Sequence, residues 1–113
     1  MGRDISKGDL PTLILAVIAE EPSHGYAIAR SIELRSKKAF LMKEGTLYPM
    51  LRTLEQEGCV VAVWEVQPSG PARKVYRITD HGRSELAKRQ TEWEEYAQSM
   101  RAILGGRSDA QTA

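Results

Sequence analysis

The sequence predicts a mainly α-helical domain with one small β-hairpin and a long C-terminal helix. In segment 44–58, apolar residues recur at the i, i+3, i+4, i+7 spacing of one buried helical face. These residues are Leu47, Met50, Leu51 and Leu54. Segments 60–66 and 73–78, rich in β-branched and aromatic residues, follow on either side of a turn-forming stretch. A short amphipathic helix that runs directly into a hairpin is typical of a winged helix-turn-helix, whose exposed helix reads DNA.

Length and composition are those of one globular domain. The chain has 113 residues, 42% of them apolar, which suffices for a modest core. No stretch approaches the roughly 18 apolar residues of a membrane span, and the N-terminal part lacks a signal-peptide pattern. The single cysteine, Cys59, excludes an internal disulfide. We therefore expect a cytoplasmic protein with no membrane partner.

The net charge of +1 neither favours nor opposes a nucleic-acid partner. Its distribution is mildly informative, because segment 59–83 holds 4 basic and 2 acidic residues in the region of the hairpin. Phosphate binding depends more on where cations lie than on their sum. We expect a few well-placed cationic contacts.

The first helix is predicted over residues 10–19. Pro11 suits its first turn, and Asp9 or Ser6 can cap its free amides. It is apolar almost all round, which is typical of a helix buried between other elements. We expect it to form the centre of the core.

The second helix is predicted over residues 24–37, with Ser23 as its cap, after Glu21-Pro22 ends the first. Gly25 in its first turn has two interpretations. It permits close packing of another element while Tyr26 fills the edge of the core, or it lets a DNA phosphate approach the helix N-terminus. The sequence leaves both open.

Pro49 shapes the prediction for the third helix, because proline is comfortable only in a first turn. The regular helix is expected to begin near Thr46 or Leu47, with Gly45 in a tight preceding turn; the alternative is a kink at Tyr48. Its outward face carries side chains that can bond phosphates and base edges. These are Thr46, Tyr48, Arg52 and Thr53.

The two strands place alternate residues on opposite faces. Tyr76 and Ile78 share one face, and Arg73, Val75 and Arg77 share the other. A two-stranded hairpin is marginal in isolation, so one face is expected to pack on the helices.

A fourth helix is predicted over residues 80–104, capped by Thr79. At about 37 Å it is too long for the preceding domain, residues 1–79, to cover. Its apolar positions follow a heptad-like spacing with one polar layer, which predicts a dimerisation helix. The seam consists of Leu86, Gln90, Trp93, Ala97, Met100 and Leu104. Residues 105–113 lack an apolar pattern and are expected to be a disordered tail.

The expected DNA contacts divide into two groups. Phosphates would be held by Lys43, Tyr48, Arg73, Lys74 and the backbone amides near Ser23, Gly25 and Tyr26. The major groove would receive Thr46, Pro49, Arg52 and Thr53, since arginine prefers guanine and threonine or proline can contact a thymine methyl.

The sequence gives less support to two other classes of protein. An enzyme is disfavoured because His24, His81 and Cys59 have no metal-ligand spacing and no glycine-rich phosphate loop is present. Neither a metal nor a cofactor is expected. A winged-helix module that binds protein instead of DNA is compatible with the near-neutral charge and stays open.

The chain resembles the PadR family of bacterial winged-helix transcriptional regulators, in its shorter form with one C-terminal helix. The matching residues span about 9–104 in order. They are His24-Gly25-Tyr26, Gly45-Thr46-Leu47-Tyr48-Pro49, Leu51, Leu54, Gly58, Arg73-Lys74, Tyr76, Thr79 and Gly82. The chain departs from the family only conservatively, with Val75 and Ile78 where Tyr and Leu are frequent.

The resemblance implies a homodimer in the bacterial nucleoid that binds a near-palindromic operator and represses a neighbouring gene. It also implies release by a small aromatic molecule at the dimer interface, with Trp93 as the candidate contact. The other interpretation of Trp93 is a packing residue of the dimer seam. The operator, the regulated genes and the identity of an effector are not encoded in these motifs.

Overall fold

Four helices and five short strands make up residues 2–107, the part of the chain that this computed structural model describes. The helices are α1 (Leu10–Glu20), α2 (Gly25–Arg35), α3 (Glu44–Gln56) and α4 (Asp80–Leu104). The strands are β1 (Arg3–Asp4), β2 (Ser23–His24), β3 (Phe40–Leu41), β4 (Val60–Glu65) and β5 (Arg73–Ile78). The predicted fold class is confirmed. Of the predicted tail, residues 108–113 lie outside the described part of the chain.

The core lies where α1 meets α2, α3 and the sheet. Helix α1 is buried on most sides, as its nearly continuous apolar sequence requires. The predicted inner face of α3 is confirmed, with Leu47, Leu51 and Leu54 buried and Met50 packed against them. Together these elements enclose the largest fully buried side chains. They are Leu10, Ile14, Leu15, Ile18, Ile28, Leu47, Leu51, Leu54 and Val60.

The sheet has three antiparallel strands in the order β2-β5-β4. Strands β4 and β5 form the predicted wing, with Val60 opposite Ile78 and Glu65 opposite Arg73. Strand β2 was not predicted, and its presence corrects the role assigned to Ser23. Ser23 lies in this strand opposite Tyr76, because the free edge of β5 bonds the backbone there. The cap of α2 is instead His24, whose Nδ1 accepts a hydrogen bond from the Ala27 amide.

Helix α3 begins earlier than predicted, at Glu44 with Lys43 as its N-cap residue. Gly45 therefore lies within the helix and Pro49 lies inside it as well. The amide that Pro49 lacks would have bonded the Gly45 carbonyl of the exposed first turn, where water can replace it. This solvent exposure explains why the helix tolerates the proline.

Helix α4 has the predicted bounds and the predicted cap. The Thr79 hydroxyl accepts a hydrogen bond from the Gly82 amide (2.9 Å) and donates one to the Gly58 carbonyl (2.6 Å). Gly82 is buried against the Cys59 carbonyl, and an added Cβ would overlap that oxygen. The first turns of α4 are thus joined to the loop that follows α3.

The structure corrects the placement of Leu86 in the dimer seam. Its side chain is 8% exposed in the single chain and belongs to the core cluster, because the first part of α4 packs against α1. Residues further along α4 are uncovered, including Met100 (38% exposed) and Leu104 (76%). The heptad spacing therefore begins in the domain's own core and continues onto an open face.

Cys59 is buried, and its surroundings predict an unreactive thiol. Burial raises the pKa of Cys59 above its usual value, and the nearby charges of Glu57 and Glu85 raise it further. A raised pKa in the folded state favours the neutral thiol, so this contribution to stability is present at neutral pH and lost as pH rises through the folded pKa. We expect Ellman's reagent at pH 8 to label the native protein about 100-fold more slowly than the urea-unfolded protein. Equal labelling rates would contradict the burial of Cys59.

Candidate nucleic-acid interface

Helices α2 and α3 and the wing border a surface groove of about 600 Å³, here called the wing groove. It combines aromatic rings with three cationic side chains. Its lining residues are His24, Gly25, Tyr26, Tyr48, Arg52, Glu55, Trp64, Arg73, Lys74 and Tyr76. The structure thus brings together the six predicted residues Gly25, Tyr26, Tyr48, Arg52, Arg73 and Lys74. Cations beside flat apolar rings are the chemistry of a nucleic-acid surface.

The other predicted contacts lie outside the wing groove. Lys43, Thr46, Pro49 and Thr53 are exposed on α3 or at its start. Lys43 forms an exposed ion pair with Asp4, at 3.4 Å between Nζ and Oδ1. The hydroxyl of Thr53 donates to the Pro49 carbonyl (3.1 Å), which leaves its methyl group and a hydroxyl lone pair for other contacts. These residues continue the exposed polar surface along α3 beyond the wing groove.

Ser23 lies before the first turn of α2 and does not cap it. Its hydroxyl donates to the Glu21 carbonyl over 3.1 Å, and its backbone lies in β2. The amides of the α2 N-terminus belong instead to the residues after His24. Ser23 therefore shapes the turn that delivers His24 to the wing groove.

Gly25 leaves the space that Tyr48 occupies. A Cβ at position 25 would lie 2.5 Å from the Tyr48 hydroxyl oxygen, Oη. The close-packing interpretation of Gly25 agrees with this contact. The accompanying expectation that Tyr26 fills the edge of the core is wrong, because Tyr26 is 66% exposed. Tyr26 on α2 and Tyr48 on α3 therefore both display part of their surface in the wing groove.

Lys74 is oriented by contacts on both of its sides. Its Nζ lies 3.7 Å from Oε1 of Glu55 and 5.7 Å from the centroid of the Tyr76 ring. Burial raises the pKa of Tyr76, and the negative charge of Glu55 raises it further, so the phenol is neutral at physiological pH. A cation above a neutral ring is favourable. These contacts hold the Lys74 charge at the floor of the wing groove.

Four lining residues were not predicted as contacts from the sequence: Glu55 and Tyr76, which orient Lys74, and His24 and Trp64. His24 lies with Nε2 3.0 Å from Nη1 of Arg73, a contact between residues 49 positions apart. Trp64, on β4, is 67% exposed and lies opposite Lys74. Strand β2 has only two residues and no alternating pattern, so no local signal places His24 beside the wing.

A second groove, of about 360 Å³, lies between α1 and α4 and is here called the α1–α4 groove. It is mainly apolar and includes Trp93, which is 55% exposed. Its lining residues are Asp9, Thr12, Leu13, Ala16, Phe40, Gln90, Trp93 and Glu94. The volume is in the lower range of small-molecule sites.

Among the described residues 2–107, no helix is both long and apolar enough to cross a membrane. In the same range, no three His, Cys, Asp or Glu side chains are grouped closely enough to hold a metal ion.

Comparisons with known proteins agree on one family. Residues 14–88 match the model of the transcriptional regulator PadR-like family. The transcriptional regulator Rv3488 of Mycobacterium tuberculosis is 34% identical over 106 residues, which is 94% of this chain and 92% of Rv3488. The solved structure of smu.1704 from Streptococcus mutans has a TM-score of 0.82 at 33% identity, with 96% of this chain and 100% of that one covered. A PadR-like transcriptional regulator from Bacillus cereus has a TM-score of 0.78 at 28% identity, with 89% and 96% covered.

The family match spans most of the chain, including the helices and the wing that border the wing groove. The solved relatives share its arrangement of domain and C-terminal helix. The chain therefore belongs to the PadR-like family of DNA-binding transcriptional regulators and is not an enzyme.

Proposed function

We propose that this protein is a cytoplasmic, homodimeric repressor that binds a near-palindromic operator beside a gene it controls. The observation that carries the proposal is the exposed polar face of α3 next to the cationic wing groove. In a winged helix-turn-helix, such a face enters the major groove while neighbouring cations hold the DNA backbone.

The contacts are proposed to divide by position. Tyr48, Arg73 and Lys74 line the wing groove and suit backbone phosphates, with Lys43 at the start of α3 as a further cation. The outward face of α3 suits base edges, and Arg52 is its bidentate donor for guanine. Thr46, Pro49 and Thr53 offer methyl and ring surface to thymine.

The dimer is proposed to form through the far part of α4. Its uncovered apolar side chains there are Trp93, Met100, Ile103 and Leu104, with Ala97 half-buried and Gln90 exposed. A second copy would cover them, since large apolar side chains grouped along one helix favour a partner. Two-fold symmetry would then place two copies of α3 about 34–36 Å apart, one turn of DNA.

The α1–α4 groove is the proposed site of a small aromatic effector. Trp93 offers a flat ring to stack on, and Leu13, Ala16 and Phe40 offer apolar walls. Trp93 as a packing residue of the dimer seam is the alternative. An effector would release DNA by favouring a dimer whose two α3 helices are wrongly spaced.

Variants of wing-groove residues separate phosphate contacts from base contacts. Tyr48→Phe and Lys74→Ala are expected to weaken binding to the operator and to random duplex by similar factors, about three- to tenfold, because phosphates carry no sequence information. Arg52→Ala is expected to weaken operator binding selectively, by about 10-fold or more, because a bidentate guanine contact is lost. The operator would be the duplex that the wild-type protein enriches from a randomised pool, and affinities would be compared by fluorescence anisotropy at fixed salt.

Arg35→Ala serves as the matched control. Arg35 forms an ion pair with Glu20, and it neither lines the wing groove nor belongs to α3. It should bind both duplexes as the wild type does. Equal losses on both duplexes for Arg52→Ala would remove this residue from base recognition. Failure of the wild type to bind any duplex at low salt would favour the alternative function, a winged-helix module that binds another protein.

A further inference from the structure

Both ring nitrogens of His24 face hydrogen-bond donors. Nδ1 lies 3.4 Å from the amide nitrogen of Ala27 and caps α2. Nε2 lies 3.0 Å from Nη1 of Arg73, a guanidinium that carries only N–H groups. A neutral imidazole has one N–H and one acceptor nitrogen, so it cannot accept from both partners at once.

Each protonation state of the ring leaves a donor facing a donor. With the proton on Nε2, the cap of α2 is kept and Nε2–H points at the Arg73 guanidinium. With the proton on Nδ1, Arg73 donates to Nε2 and the Ala27 amide loses its acceptor. A doubly protonated ring loses both contacts. Among residues 2–107, the Ala27 amide, the His24 ring and the Arg73 guanidinium therefore have one acceptor too few between them.

We propose that the missing acceptor is a phosphodiester oxygen of the DNA backbone, bound jointly by Nε2–H of His24 and the guanidinium of Arg73. This inference rests on the proposed DNA-binding function and adds a phosphate contact that unites α2 with the wing. In the complex, Nδ1 keeps the Ala27 amide while Nε2–H and the guanidinium both donate to the same phosphate. All three groups are then satisfied.

The surroundings of the pair suit this arrangement. His24 ends β2 opposite Val75, and Arg73 lies two residues before Val75 on β5, so the two are diagonal neighbours across the sheet. The His24 ring is half-buried and parallel to the Tyr26 ring, with centroids 6.4 Å apart, whereas Arg73 is exposed and can move to admit an oxygen. Arg73 takes part in no ion pair among residues 2–107, unlike its neighbour Lys74. The half-buried His24 ring thus presents its donor beside Arg73, a cation that has no counterion among residues 2–107.

Two substitutions of His24 separate the cap from the phosphate contact. His24→Asn keeps a good capping acceptor at the position of Nδ1 but is too short to present a donor at Nε2. His24→Gln presents an amide N–H near the position of Nε2 but is a poorer cap. We expect His24→Asn to unfold at the wild-type temperature yet bind a fluorescein-labelled 30-base-pair random-sequence duplex about fivefold more weakly. His24→Gln should bind more tightly than His24→Asn although it unfolds at a lower temperature.

The double variant His24→Asn/Arg73→Ala tests whether one phosphate is shared. Its loss of affinity should be clearly smaller than the product of the single losses, since either substitution disrupts the same contact. The inference would be overturned if the loss of affinity of the double variant equalled the product of the two single losses. It would also be overturned if His24→Asn bound the duplex with wild-type affinity. An affinity order that follows the unfolding temperatures would overturn it too, because that would mean that His24 acts through the cap alone.

Nitrogen NMR of the His24 ring in the duplex complex provides a direct reading. We expect the Nε2–H tautomer, and the Nδ1–H tautomer would contradict the proposal. Failure of the proposed function is distinguishable, because the wild-type protein itself would then not bind the random duplex at low salt. If the wild type binds and His24→Asn binds equally well, the regulator is retained and only the shared phosphate is lost.

Discussion

Gly82→Ala is expected to destabilise the folded protein by about 2 kcal/mol or more. The new Cβ would overlap the carbonyl oxygen of Cys59, a backbone atom that cannot turn away. Relief requires α4 to shift, which would strain the hydrogen bonds of Thr79 to Gly58 and Gly82. Thermal unfolding at fixed protein concentration should show a fall of about 10 °C.

Gly45→Ala is the matched control for this prediction. Gly45 also lies in the first turn of a helix, but nothing stands within 4 Å of its added Cβ. Alanine is the better helix former, so this variant should be stabilised by up to about 1 kcal/mol. Similar unfolding temperatures for the two variants would show that the contact between Gly82 and Cys59 is not tight.

Met100→Glu/Leu104→Glu is expected to convert the dimer into monomers and to reduce operator affinity by at least about 100-fold. The variant adds two carboxylates to each subunit and therefore four to the seam of a two-fold dimer. Each carboxylate would lose its hydrating water or repel a neighbouring carboxylate. A monomer also loses the second half-site, which removes the gain from simultaneous binding. Sedimentation velocity would measure the state of assembly, and anisotropy with the selected operator would measure the affinity.

Gln98→Glu/Ala102→Glu provides a control with the same change of charge. Positions 98 and 102 lie on the side of α4 roughly opposite the seam, by the 3.6-residue period of the helix. This variant should remain dimeric and bind nearly as the wild type does. A Met100→Glu/Leu104→Glu protein that sediments as a dimer would refute the seam proposed for α4.

Much of the fold could be predicted because its signals are local. The cap at Thr79 and the turn residues between 66 and 73 mark element ends in the sequence, and the spacing from Leu47 to Leu54 marks a buried face. Strand β2 could not be predicted, since the free edge of β5, some 50 residues away, decides its structure. Serine is a residue type that often caps helices, but the pairing of Ser23 with Tyr76 of β5 places it in a strand instead.

Most residues of the candidate site could be predicted from the sequence, but which of them lie together in the structure could not. Leu86 fits a heptad as well as Met100 does, and periodicity alone cannot tell a helix's own core from a partner's surface. Tyr26 directly follows the buried Gly25 but is itself exposed, and the sequence pattern does not distinguish these two positions. His24 acquires its second contact only when the wing folds back onto α2.

The hydroxyl of Thr79 lies at the start of α4, where it donates a hydrogen bond to the Gly58 carbonyl and accepts one from the Gly82 amide. It therefore ties the first turn of α4 to the loop that follows α3. Because α4 has 25 residues and is about 37 Å long, a change of about 10° in its direction would displace its far end by roughly 6 Å, nearly two base-pair steps. In the proposed dimer, the distance between the two α3 helices on DNA would therefore depend on how this hydroxyl holds the start of α4.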